Sequence, residues 1–113
     1  MSEEMLQELE LNIAEAKQIV ELGDALERLK NNRDFKAVIL DGYFRTEAAR
    51  LVMGKAHPQM QRPDTQASFL RSIDAIGELG QYFNKLRQQA EMAQIAMDED
   101  RRTIAELAEE GAL

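Results

Sequence analysis

Three stretches of this chain repeat their apolar residues with the period of a helix, and the last does so over about six heptads. In the first, Leu6, Leu9, Ile13, Ala16 and Val20 alternate steps of three and four, and the stripe then shifts to Leu22, Leu26 and Leu29. Gly23-Asp24 sits at the shift, where either a break capped by Asp24 or a seam turning around a continuous helix is expected. Ser2 is suited to cap the start, Glu3 and Glu4 suit its positive end, and Asn31-Asn32 suits its finish through a turn or left-handed cap. A second helix is expected to start at Asp34 as N-cap. It carries a wide apolar face of Phe35, Val38, Ile39, Tyr43, Phe44, Ala48, Leu51 and Val52, and it ends at Gly54 and His57-Pro58. Gly42 falls inside it, at a cost of ~1 kcal/mol relative to Ala, and invites close approach of a neighbouring backbone.

Both prolines lie in the loop 57–64. A third helix follows, capped by Asp64 or Thr65. Phe69, Ile76, Phe83, Ala90, Met97 and Ile104 are spaced by seven. Ser72, Leu79, Leu86, Ala93, Asp100 and Leu107 follow three residues behind them. This a/d register is broken only by Ser72 and Asp100, and it predicts a helix of roughly 65–70 Å at 1.5 Å per residue. Gly77 and Gly80 fall on it near Phe83, read as a site of tight packing or, less simply, a hinge. The expectation is all-α: one domain over residues 1–113, with helices at about 2–31, 34–55 and 65–110. They would form an elongated helical hairpin or bundle with a long coiled-coil-like C-terminal helix. The stretch from Met92 to Leu107 needs a cover, either the chain's own first helix or another copy.

Composition agrees: 44% hydrophobic, 31% charged, 5% aromatic and without Trp or Cys, it leans to bundles and coiled coils and excludes disulfides and thiolate metal sites. No apolar run approaches the ~20 residues of a membrane span. The acidic start Met1-Ser2-Glu3-Glu4 is unlike a signal peptide, so a cytoplasmic protein is expected.

The net charge of −7 is unevenly placed: residues 1–27 carry −7, residues 28–71 carry +5 and residues 72–113 carry −5. The basic middle could balance its own acidic ends within a bundle, or face an acidic partner, nucleic acid or a neighbouring copy.

Catalytic chemistry has little footing. The single His57 reads as a loop or cap residue. Glycine-rich phosphate loops, HExxH and Gly-x-Ser-x-Gly are absent from the sequence. Asp98-Glu99-Asp100 lacks the glycine and the twelfth-position acid of a calcium loop. No catalytic, cofactor-binding or metal-ligating residue is therefore assigned, and no cofactor is expected. The aromatic pairs Tyr43-Phe44 and Tyr82-Phe83 are expected to pack where helices cross, or to form a recognition patch with Arg45 and Arg50. The candidate interaction residues are Tyr43, Phe44, Arg45, Arg50 and Tyr82, with Met97, Ile104 and Leu107 on the apolar stripe of the third helix.

The block from Asp34 to Val52, with Val38-Ile39-Leu40-Asp41-Gly42-Tyr43-Phe44-Arg45, Glu47-Ala48 and Arg50-Leu51, resembles a pattern in small acidic helical proteins of tailed bacteriophages. Ile73, Ala75-Ile76-Gly77, Leu79 and Gln81-Tyr82-Phe83 carry the same resemblance, over about residues 28–95. Such proteins tend to be encoded among capsid, portal and packaging genes. The resemblance implies a non-enzymatic structural or assembly protein in the host cytoplasm during infection, or in the virion. It would bind itself or a capsid, portal or tail protein. It transfers no site residues. The alternative is an acidic anti-host factor whose carboxylates mimic nucleic-acid phosphates on a host nucleic-acid enzyme or defence protein. A packaging accessory using the basic middle on DNA is a further reading, disfavoured by the overall charge.

Overall fold

The computed structural model describes residues 2–111, and all of its regular structure is helical. α1 spans Ser2–Lys30, α2 Arg33–Phe35, a π-helix Lys36–Glu47, α3 Ala48–Ala56, a single 3-10 turn Pro58–Met60, and α4 Pro63–Glu109. The all-α class and the long C-terminal helix are as expected. No described helix is long and apolar enough to cross a membrane. The chain divides into two units: α1 up to Leu26 with α4 from Lys85, and residues 27–84.

In the first unit α1 runs unbroken through Gly23. Of the expected shift to Leu22, Leu26 and Leu29, Leu26 is buried whereas Leu22 and Leu29 are exposed. Gly23 is buried as well, three residues beyond Val20 on the line of Leu6, Leu9, Ile13, Ala16 and Val20, which are half-buried. The reason is close helix approach. A methyl group built on Gly23 would collide with Cβ of Ala90 and would come to 4.0 Å from the Leu86 carbonyl oxygen. The far half of α4 answers with Leu86, Ala90, Ala93, Met97, Ile104 and Leu107, all buried or half-buried. Asp100 is half-buried in the same line. The stretch from Met92 to Leu107 is thus covered in part by the chain's own first helix. The capping role expected of the Ser2 side chain lies outside the described residues.

The second unit is a helical hairpin. Asn31 closes α1 by donating from Nδ2 to the Glu27 carbonyl at 3.0 Å. Its φ is not positive, so the left-handed cap is not formed there: Gly111 alone has positive φ among the described residues. Asn32, not Asp34, caps the next helix: its Oδ1 accepts from the N–H groups of Asp34 at 3.0 Å and Phe35 at 2.9 Å. This satisfies two orphan donors of the first turn.

Residues 33–56 then continue without interruption, but not as one α-helix. Lys36–Glu47 is π-helical, a form that is rare and usually limited to a single turn. Its effect is on facing. Phe35 and Phe44 are nine residues apart, two and a half turns of an α-helix at 3.6 residues per turn, which would point them in opposite directions. Bonded i→i+5, the same nine residues make about two turns, and both rings face one way. The wide apolar face expected from an α period is therefore narrower. Phe35, Ile39, Tyr43, Phe44, Ala48 and Leu51 are turned inward, whereas Val38 and Val52 are exposed.

The loop is tied down by amides. His57 Nδ1 accepts from the Gln59 N–H at 3.1 Å and caps the 3-10 turn. Gln61 donates to the carbonyls of Lys55 at 2.9 Å and His57 at 2.8 Å. Gln66 reaches back to Lys55 at 2.8 Å and Met60 at 2.7 Å. The Lys55 carbonyl at the end of α3, orphaned by helix geometry, is thus satisfied by side chains. α4 begins at Pro63, two residues before the expected start, because proline at the first helical position is preset in φ and forfeits no bond.

Candidate interaction surfaces

The core is thin. Leu26, Leu51, Ile76, Ala93 and Met97 are the buried hydrophobic residues among those described, and no side chain is fully enclosed. Large apolar side chains stand in solvent instead, among them Met53 at 73%, Met92 at 71%, Ile95 at 60% and Leu11 at 59%.

In the second unit the candidate aromatic residues converge on Phe83. Phe44 meets it edge-on with ring centroids 5.9 Å apart. Phe35, which the sequence pattern did not join to this group, lies at 6.0 Å. Tyr43 leans on Phe44 at 5.9 Å and Tyr82 on Phe83 at 6.3 Å. Gly80 leaves room for the Phe44 ring, 3.8 Å from where its Cβ would be, and nothing lies within 4 Å of that point at Gly77. The two glycines therefore differ: one borders the cluster and the other faces open space. Gly54 receives the Phe69 ring, whose Cε1 would stand 2.8 Å from an added Cβ. Such edge and tilted contacts are worth about 0.5–1.5 kcal/mol each beyond area burial.

The arginines sit outside this cluster. Arg45 is exposed, with Asp41 Oδ1 at 3.9 Å. Arg50 binds Glu47 through Nε at 2.9 Å and also through Nη2, both to the same carboxylate oxygen. That hydrogen bond holds Glu47 below the ordinary carboxylate range and raises Arg50 above its own. Two shallow hollows flank Leu51 and Ser72. One of about 370 Å³ is lined by Tyr43, Glu47 and Ala75, and one of about 250 Å³ by Arg50, Met60, Thr65, Ser68 and Phe69. Ser72 breaks the heptad register because it is exposed there. No group of three or more His, Asp or Glu among the described residues could hold a metal ion.

Of the α4 candidates, Met97 is 4% exposed and belongs to the core of its unit rather than to its open surface. Ile104 and Leu107 are half-buried on the same line. The open surface of this unit lies to one side of that seam. There Ala16 and Ile19 of α1 and Met92, Ala93 and Ala96 of α4 line a trough of about 460 Å³, bordered by Asn12, Glu15 and Gln89. The heptad sequence on α4 hid this surface, because Met92 and Ala96 fall off the a/d lines that the pattern emphasises. It lies one position to the side, at Ile19, Met92 and Ala96.

Charge separates with the units. Residues 1–26 and 85–113 hold fourteen carboxylates and five Lys/Arg, a net of −9. Residues 27–84 hold nine Lys/Arg and seven carboxylates, a net of +2. Fold and surfaces together describe an all-α protein with more apolar surface than it covers. The chain matches no protein-family model, no curated protein and no solved structure.

Proposed function

We propose that this chain is a non-enzymatic structural or assembly protein of a tailed bacteriophage, acting through helix–helix contacts with itself or with a capsid, portal or tail protein. The exposed apolar surface carries the reading. A chain of 113 residues has enough sequence to close a core, yet Leu11, Met53, Met92 and Ile95 all stand more than half exposed. Ile19, Met92 and Ala96 line one open apolar trough, and a contiguous apolar surface left open on a folded chain marks an association surface. The phage assignment is supported by the resemblance over residues 28–95 and by no other observation. Mass spectrometry of purified particles and of isolated assembly intermediates tests it. Many copies per particle or intermediate are expected, and absence from both removes the reading.

The acidic anti-host reading has one observation in its favour. The two acidic ends of the sequence fold into one unit, which concentrates a net charge of −9. Such a surface suits a basic nucleic-acid channel. Binding to a host nuclease or polymerase that weakens steeply with salt would favour it over assembly.

A further inference from the structure

We infer that the trough on the acidic unit receives the exposed stripe of α3 from a second copy, head to tail. The inference rests on the assembly reading and names its contact.

The receiving side has an apolar floor and an acidic rim. Ala16, Ile19, Met92 and Ala96 form the floor, open along the α1–α4 pair. Glu15 stands on its edge. Seven residues along a helix return to nearly the same face, so Glu8 precedes Glu15 on α1, and on α4 Lys85 precedes Met92 while Glu99 and Glu106 follow it. All four are exposed. Two antiparallel helices with such a trough accept a third, as in a helical bundle.

The entering side has the opposite character. On α3, Ala49, Val52, Met53 and Ala56 are all exposed, at the i, i+3, i+4, i+7 spacing of one helical stripe. Leu51 and Gly54 face the hairpin instead, so the stripe has no partner within its own unit. Arg45 precedes Ala49 by one turn and is 82% exposed, with Asp41 only at 3.9 Å. The helical stretch 33–56 carries five Lys/Arg against three carboxylates. An apolar stripe with net positive flanks is what an apolar trough with a carboxylate rim selects, and long cationic side chains can lay their stems on the floor and their heads on the rim. Trough-to-trough pairing is opposed, because it sets one unit of net −9 against another. A trough-to-stripe contact uses two different patches, so copies can add in a line or close into a ring.

The test is sedimentation velocity of the full chain at rising concentration and at two salt concentrations. It uses two variants placed at highly exposed positions, where the monomer fold is spared: Met92→Glu in the trough and Met53→Glu on the stripe. Circular dichroism checks their helicity. The wild type should associate beyond a dimer, less so at high salt. Each variant alone should lose association by about tenfold or more. An equimolar mixture of the two should recover a one-to-one dimer and stop there, because each supplies the patch that the other lacks. A monomeric wild type, variants that still associate as the wild type does, or a mixture that stays monomeric would each overturn the inference. The particle measurement decides the assembly reading separately: a chain found in particles with a failed mixing result loses only this contact.

Discussion

Phe35 and Phe44, nine residues apart, pack on the same ring, that of Phe83, at 6.0 and 5.9 Å. An α-helix would have sent one of them to solvent. The π-helical stretch between them brings both to the hairpin seam and turns Val38 out.

Truncating either ring should therefore cost a similar amount. Phe35→Ala and Phe44→Ala should each lower the unfolding free energy by about 2–4 kcal/mol, somewhat below the range for fully buried rings because both are half-buried. Val38→Asp should change it by less than about 0.5 kcal/mol. Urea denaturation measures all three. A small loss at Phe35 together with a large one at Val38 would restore the α register.

The glycines should separate into two groups when replaced by alanine. Gly23→Ala and Gly54→Ala insert a methyl against Ala90 and against the Phe69 ring. Overpacking of about 1–3 kcal/mol should outweigh the gain in helix propensity. Gly77→Ala meets nothing within 4 Å and should stabilise by about 0.5–1 kcal/mol, since glycine inside a helix carries that cost. Thermal melts of the three variants read the sign directly.

Removing the Gln66 amide should loosen the turn before α4. Gln66→Ala leaves the Lys55 and Met60 carbonyls without this donor, at about 1–2 kcal/mol. Faster amide exchange confined to residues 57–66 is the expected signature, and unchanged exchange there would show that solvent replaces the side chain without loss.

The Glu47–Arg50 pair should make a small acid-side contribution to stability. The Arg50 hydrogen bond lowers the Glu47 pKa in the folded state. Its contribution is present above the ordinary carboxylate pKa and is lost as pH falls through the depressed one. Both groups are solvated, so the effect is modest and screened by salt. A carbon-detected NMR titration should find the Glu47 midpoint higher in Arg50→Gln than in the wild type. An unchanged midpoint would mean that the pair does not persist in solution.

Much of the fold was legible because long helices repeat their apolar residues many times. Phe69, Ile76, Phe83, Ala90, Met97 and Ile104 all lie on the inward side of α4, as their spacing by seven implies. The start of the second helix was misplaced because Asn32 and Asp34 are both good caps, and only backbone geometry chooses between them. The aromatic cluster was partly legible. The aromatic pairs announced a cluster, and the period put Phe35 on the same broad face as Tyr43 and Phe44 without singling it out as a member. Met97 was marked for its place on the heptad, and that same place buries it.

By itself the sequence determined the all-α class, the long C-terminal helix, the loop at the prolines and the uneven charge, since helix period, proline chemistry and ionisation are local properties. Tertiary structure decided the rest. It set the π register of residues 36–47, because in that wider turn the Phe35 and Phe44 rings, nine apart, both reach Phe83. It also decided that the two acidic ends share a unit with an open trough, because surface stays exposed only after the other faces have packed.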